Sequence, residues 1–176
     1  MAIFIFRRIY IMKQNRKQII LVTILALAVM MTTGCIGGGG GAIEAPAGAP
    51  NGAVMAPITG SCMVEVASGK VIVSSDADIM DGAFVVLSVN AMDSDTLAET
   101  VIVKNGDNLK AEFAIEDDWG DEVYGFVVMS PELNGKQAEH ILAIYGEHFE
   151  KVEADNMIYN KKDYMYVVMS DKIALK

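Results

Sequence analysis

Two histidines, two cysteines, one tryptophan and several knots of carboxylates are the side chains whose types can do chemistry in this 176-residue sequence. A zinc site would need both His140 and His148 with carboxylates such as Glu147 or Glu150, yet no H-E-x-x-H or comparable spacing occurs. They read as surface or helix-end histidines, and no metal is expected. Cys62 stands in Ser61-Cys62-Met63-Val64-Glu65 with no cation beside it, whereas a nucleophilic thiol needs a positive, partly exposed setting and a base. It reads as a small buried strand residue, with an intermolecular disulfide as the alternative. Asp76/Asp78/Asp81, Asp93/Asp95, and Glu116/Asp117/Asp118 with Asp121/Glu122 offer oxygens of the kind calcium takes from extracellular loops. Asp76-Ala77-Asp78-Ile79-Met80-Asp81-Gly82 only partly echoes a calcium loop, and turns favour aspartate without any metal. Trp119, in Asp117-Asp118-Trp119-Gly120-Asp121, has two readings. On a loop tip it stacks on a sugar ring or anchors a partner; folded back, it is a lid over one end of the core. Tyr124, Tyr164 and Tyr166 would extend such a platform if they face solvent. No phosphate loop, nucleophile elbow or paired-carboxylate motif is recognisable, so no catalytic residue and no cofactor are expected.

The elements that must position these residues are strands. Cys62–Ala67 and Val71–Ser74 flank a Ser68-Gly69 turn, and Ala83–Asn90 follows Asp81-Gly82. Thr100–Lys104 and Leu109–Ile115 alternate apolar with polar or smaller residues around Asn105-Gly106-Asp107-Asn108, where Asn-Gly predicts a type I′ hairpin. Glu122–Met129 and Tyr164–Met169 are β-rich and apolar on both faces, which predicts central strands or one face covered by a helix. Lys172–Leu175 continues the last strand. One segment has a different period: Ala138, Ile141, Leu142 and Tyr145 fall on one helical face, with Asn134 as start cap and Gly146 as end cap. Short strands with turns between them predict a mainly β, antiparallel sandwich over residues 61–176, with one short helix before the last strand.

The first 35 residues are different in kind. Arg7, Arg8, Lys13, Arg16 and Lys17 stand there without a single acid. Lys13–Lys17 leads into Ile19–Met31 (IILVTILALAVMM), an uncharged run too short for a comfortable membrane span, which needs about 20 residues. A basic stretch, a short apolar run and a small residue at the cut make a secretory signal over 1–34. Met1–Ile11 is more than a signal needs, so Met12 is a natural alternative start. The ending Thr32-Thr33-Gly34-Cys35 resembles the lipobox of surface lipoproteins, with Thr32 where that family usually has Leu. The resemblance implies that Cys35 carries a diacylglycerol thioether and becomes the new N-terminus. Residues 35–60 hold five consecutive glycines, three of the four prolines and one charge, Glu44. Such a stretch is a tether with an r.m.s. reach of roughly 25–30 Å.

Beyond it, SGKVIVSSDADIMDGAFVVLSVN, a VIVKNG hairpin, a strand ending at Ser130-Pro131 and a short QAEHILAIYGE helix resemble secreted or lipid-anchored Ig-like β-sandwich domains of bacterial surface proteins. That group commonly has a Leu-Pro-Asp-Gly-Thr turn before the second strand and a Val-x-x-x-Gly-x-x-Gly helix end before the last. Ile79-Met80-Asp81-Gly82-Ala83 and Tyr145-Gly146-Glu147 occupy those places imperfectly. The likeness covers roughly 68–175 and implies a fold without an assigned activity.

Charge narrows the partners. After Cys35 the chain has nine lysines, no arginine and 23 acids, a net of −14. Such a surface repels phosphate backbones and anionic lipid heads, so nucleic acid is not an expected partner. The expectation is a lipid-anchored, extracytoplasmic binding or structural module, not an enzyme, on the outer face of the cytoplasmic membrane. Its partner would be a cell-surface protein or glycan, and the membrane holds it only through Cys35. The alternative is a calcium- or glycan-dependent binder using the Trp119 loop.

Overall fold

A computed structural model of the protein describes residues 47–92, 95–133, 135–160 and 162–175. The expected signal, Met12, Cys35, Asp93 and the cap Asn134 lie outside the described residues. The described chain is mainly β. Its elements are β1 (Ala56–Pro57), β2 (Cys62–Ala67), β3 (Lys70–Ser75), β4 (Phe84–Ala91), β5 (Thr96–Val103), β6 (Lys110–Ala114) and β7 (Glu122–Met129). Then come α1 (Glu139–Tyr145), β8 (Val152–Glu153), β9 (Met157–Asn160), β10 (Asp163–Met169) and β11 (Ile173–Ala174).

Two antiparallel sheets carry the core. One has the order β2-β3-β6; the other runs β5-β4-β7-β10-β9, with β11 also on β7. Their inner faces share one apolar cluster, which includes Val71 and Val73 from β3, Val85, Leu87 and Val89 from β4, Val127 and Met129 from β7, and Tyr166 and Val168 from β10. The sheets approach each other tightly at Gly125. A Cβ there would sit 3.1 Å from Val73 Cγ1 and 3.3 Å from Cys62 Sγ. Glycine in mid-strand weakens a sheet and marks a place where something approaches the backbone; here the facing sheet approaches it.

The turns explain the topology. Ala67 pairs with Lys70 across Ser68 and Gly69, whose φ angles of 52° and 73° are both positive. That is the requirement of the type I′ hairpin, whose twist matches that of the strands it joins. The predicted Asn105-Gly106 hairpin is overturned. β5 pairs with β4 and β6 pairs with β3, so this loop crosses from one sheet to the other. Only Gly106 has a positive φ, 57°. A turn preference is set by four residues, whereas fully burying one side chain of the size of Ile or Phe contributes about 1.5–3 kcal/mol, of which the half-buried Ile102 and Phe113 each gain a share. Both pack against the core, from opposite sheets. Burial outweighs the turn.

Several boundaries also differ from the sequence reading. The fold begins ahead of residue 61: Ala56 and Pro57 pair in parallel with Val152 and Glu153, and Ile58 is buried in the core. The helix starts at Glu139 with no side-chain cap at Ala138, and it ends at Gly146, whose N–H donates to Leu142 O. It precedes β8 rather than the last strand, since β8, β9 and β10 all follow it. Gln137, expected within the helix, is instead buried as a latch. Its Oε1 accepts from Phe84 N–H at 2.8 Å, and its Nε2 donates to the carbonyls of Phe84 (2.8 Å) and Ser130 (3.0 Å). A carboxamide mimics a peptide unit and so completes the edge of the backbone ladder. Ile141, Leu142 and Tyr145 of α1 are buried in the common core. Among the described residues no helix is long and apolar enough to cross a membrane.

Candidate functional site: the loops and the outer faces of the sheets

Trp119 is 6% exposed and belongs to the core cluster, with its backbone N–H donating to Glu116 O at 3.1 Å. This is the lid geometry; the indole presents no open face for a sugar. Tyr166 is buried on the inner face beside Val168, and Tyr164 packs against the core as well. Tyr124, on alternate register with the inward Val123 and Gly125, lies on the other side of β7. The three tyrosines therefore form no common platform.

The carboxylates are divided among separate tasks. Asp76 Oδ1 accepts from Ser61 N–H at 2.6 Å and from Ser61 Oγ at 3.0 Å, which holds its carboxyl below the usual range. Asp78 Oδ1 accepts from Thr59 N–H at 2.6 Å. Together they fasten the segment after β1 to the β3–β4 loop. Asp81 Oδ1 accepts from Gly106 N–H at 2.9 Å and faces Lys104 Nζ at 3.5 Å. Lys104 is itself buried and donates to Gly106 O. The backbone seals the same corner, since Gly82 N–H donates to Lys104 O and Lys104 N–H to Ala83 O. Each of these aspartates thus accepts from a backbone N–H, as turn chemistry favours. Among the described residues no group of three or more His, Cys, Asp or Glu side chains could hold a metal ion.

An open groove of about 930 Å³ lies where the β4–β5 loop meets the Trp119 loop, lined by Met92, Asp95, Leu97, Asp118, Asp121 and Glu122 among others. Glu122 is engaged by Lys172 at 3.0 Å. Its lining mixes four carboxylates with apolar side chains.

The histidines are apart from this groove. His140 Nε2 lies 3.4 Å from Asp81 O, over Gly82. His148 Nδ1 is 2.7 Å from Asp163 Oδ1, and the neighbouring Lys162 pairs with Glu132 at 2.7 Å. Cys62 is buried, and burial pushes its thiol up to about 12. At neutral pH it holds its proton, as an inert small hydrophobe does. The Tyr166 phenol is also pushed up to about 12, first by burial and then by Asp78, Asp76 and Cys62, and its hydroxyl has no partner among the described residues.

One feature with a sequence signal is the outer face of the larger sheet. Antiparallel partners share a face, which gives three rows across the strands. Met169, Phe126, Ser88 and Glu99 form one row; Val167, Val128, Val86 and Val101 the next. Phe84 with Val103, and Met165 with Ile158, flank the third. The signal was the apolar character of Glu122–Met129 and Tyr164–Met169 on both faces. β7 and β10 are indeed interior strands of the sheet.

The chain matches no known protein family, no curated protein and no solved structure.

Proposed function

We propose that this protein is a lipid-anchored extracytoplasmic module, held on the outer face of the cytoplasmic membrane by an acylated Cys35, that binds or scaffolds rather than catalyses. The observation that carries this reading is the order of segments: basic Lys13–Lys17, uncharged Ile19–Met31, Gly34-Cys35, a Gly- and Pro-rich tether, then one β domain. A signal, a small residue and a cysteine in that order are what a lipoprotein precursor presents. Two facing antiparallel sheets joined by the β5–β6 crossing are in keeping with an Ig-like sandwich. The tether enters the domain at β1, where backbone bonds from Ala56 and Ile58 to Lys151 and Glu153 fasten it. About 20 residues then separate Cys35 from the domain, an r.m.s. reach of roughly 25 Å. Non-catalytic action is supported by how the polar side chains are used: Asp76, Asp78 and Asp81 hold backbone, and His148 holds Asp163. The acidic surface favours a cell-surface protein partner over nucleic acid.

Metabolic labelling with an alkyne fatty acid tests the anchor. In cells that process lipoproteins, the full chain should take up label and fractionate with membranes, and Cys35→Ser should lose the label. Label that persists in Cys35→Ser, or a wild-type chain that is never labelled, would refute the anchor.

A further inference from the structure

We infer that Asn51 is a site of spontaneous deamidation and that the fold protects Asn105, so that this protein ages at the entry to its domain and not at the loop joining its sheets. The sequence holds three Asn-Gly steps, Asn51-Gly52, Asn105-Gly106 and Asn134-Gly135; Asn134 lies outside the described residues. In such a step the glycine backbone nitrogen loses its proton and attacks the asparagine Cγ. The new N–Cγ bond closes a succinimide ring, the Cγ–Nδ2 bond breaks, and the amide leaves as ammonia, taking up the proton. Water then opens the ring at either carbonyl, giving aspartate or isoaspartate. One water is consumed and one ammonia released, with no change of oxidation state. Glycine suits the reaction because it has no Cβ to obstruct the close approach.

The two described steps are alike in exposure and in glycine geometry. Both asparagines are exposed, both glycines have a positive φ (80° at Gly52, 57° at Gly106), and open space surrounds each glycine. They differ in what holds the attacking nitrogen. Gly106 N–H donates to Asp81 Oδ1 at 2.9 Å, so losing its proton would set an amide anion against a carboxylate, and like charge disfavours that. Gly106 is pinned on its other side too, since Lys104 Nζ donates to Gly106 O. Asn108 clamps the flanks: its Oδ1 accepts from Asn105 N–H at 2.8 Å and its Nδ2 donates to Val103 O at 2.9 Å. The nitrogen reaches Asn105 Cγ only by giving up Asp81. At Asn51 the turn is closed by Ala53 N–H donating to Pro50 O at 3.0 Å, and Gly52 N–H has no partner among the described residues. Conversion at Asn51 places a carboxylate, and in the isoaspartate form an extra backbone methylene, in the turn ahead of β1. At Asn105 the same change would fall on the segment that crosses from β5 to β6. None of this depends on the lipid anchor.

Ageing the full chain in non-ionic detergent at mildly alkaline pH, with peptide mapping by mass spectrometry at intervals, tests the inference. Asn51 should convert, and Asn105 should convert at least about tenfold more slowly, a factor within what a hydrogen bond to a charged group supports. In urea both should convert at similar rates, since glycine follows each and the fold is gone. Asp81→Ala, made at a side chain that is 63% exposed, should speed Asn105 and leave Asn51 unchanged, with a thermal melt checking that the fold is kept. Equal rates in the native protein would overturn the inference, as would an Asn51 that stays intact. So would an Asn105 that remains slow in urea, which would assign its protection to neighbouring residues, or a folded Asp81→Ala in which Asn105 converts no faster.

Discussion

Replacing Gly125 by alanine probes a close approach of the two sheets. The new methyl would lie 3.1 and 3.3 Å from the two Val73 methyls and 3.3 Å from Cys62 Sγ. Carbon contacts are most favourable at about 3.5–4.0 Å, so the neighbours must withdraw by a few tenths of an ångström. Val73 is fully buried and β-branched, and it has no free rotamer to take. Overpacking of this kind costs about 1–3 kcal/mol, and the stiffer unfolded chain returns about 0.4–1 kcal/mol. The net loss is about 0.5–2 kcal/mol, which lowers Tm by roughly 2–10 °C for a domain of this size. Circular dichroism melts of wild type, Gly125→Ala, Gly120→Ala and Gly125→Ala/Val73→Ala read this directly. Gly120 has open space at its Cβ position, so its alanine variant should melt at or slightly above wild type. In the double variant the two costs should add to less than their sum, because Val73→Ala removes the methyls that the new one meets. If Gly125→Ala melts with Gly120→Ala, at or above wild type, the sheets do not meet at Val73 as described and the reasoning fails.

Two further outcomes follow from buried groups. The native values of Cys62 and Tyr166, each about 12, lie above their ordinary values of 9.0 and 10.0, so the fold favours the protonated forms. Their contribution is complete below pH about 9 and is lost as pH rises towards 12, at about 1.4 kcal/mol per pH unit for Cys62. Urea midpoints should therefore be flat from pH 7 to 8.5 and then fall, and Cys62→Ala should shallow that fall; an unchanged slope in Cys62→Ala refutes the assignment. Trp119 is the sole tryptophan, and its buried indole should emit at short wavelength and resist iodide quenching until the chain unfolds. Ready quenching of the native protein would return Trp119 to the surface and restore the sugar-stacking reading.

Much of the local structure was legible in the residues. Cys62–Ala67 fell where read, because alternation records which side of a strand meets the core. Ser68-Gly69 made its hairpin because Gly69 takes positive φ at no steric cost, and Ser68 is carried into the same region with it. Gly146 ended the helix for the same reason. The fate of Cys62 was legible too, since a thiol without a cation nearby has no reason to be exposed. Asn105-Gly106 was misleading: a turn preference records only what four residues favour, while strand partners are chosen by the whole core. β1, β8 and β9 were missed because pairs of two to four residues carry no periodicity to detect. Gln137 gave no sign of its latch, which needs Phe84 and Ser130 brought to it from other strands.

The sequence by itself determined the division of this protein into a basic and apolar start, a glycine- and proline-rich tether and a β-rich acidic domain, because charge, chain stiffness and alternation are properties of neighbouring residues. It also determined that β7 and β10 would be apolar on both sides. Only the tertiary structure decided that Trp119 turns inward, that Asp76, Asp78 and Asp81 are divided among three loop contacts instead of gathering on one ion, and that the rows of Val86, Phe126, Val128 and Val167 lie together on an outward face. Each of those depends on which distant strands become neighbours. That choice is made by burial summed over the whole domain, in which any one side chain weighs little.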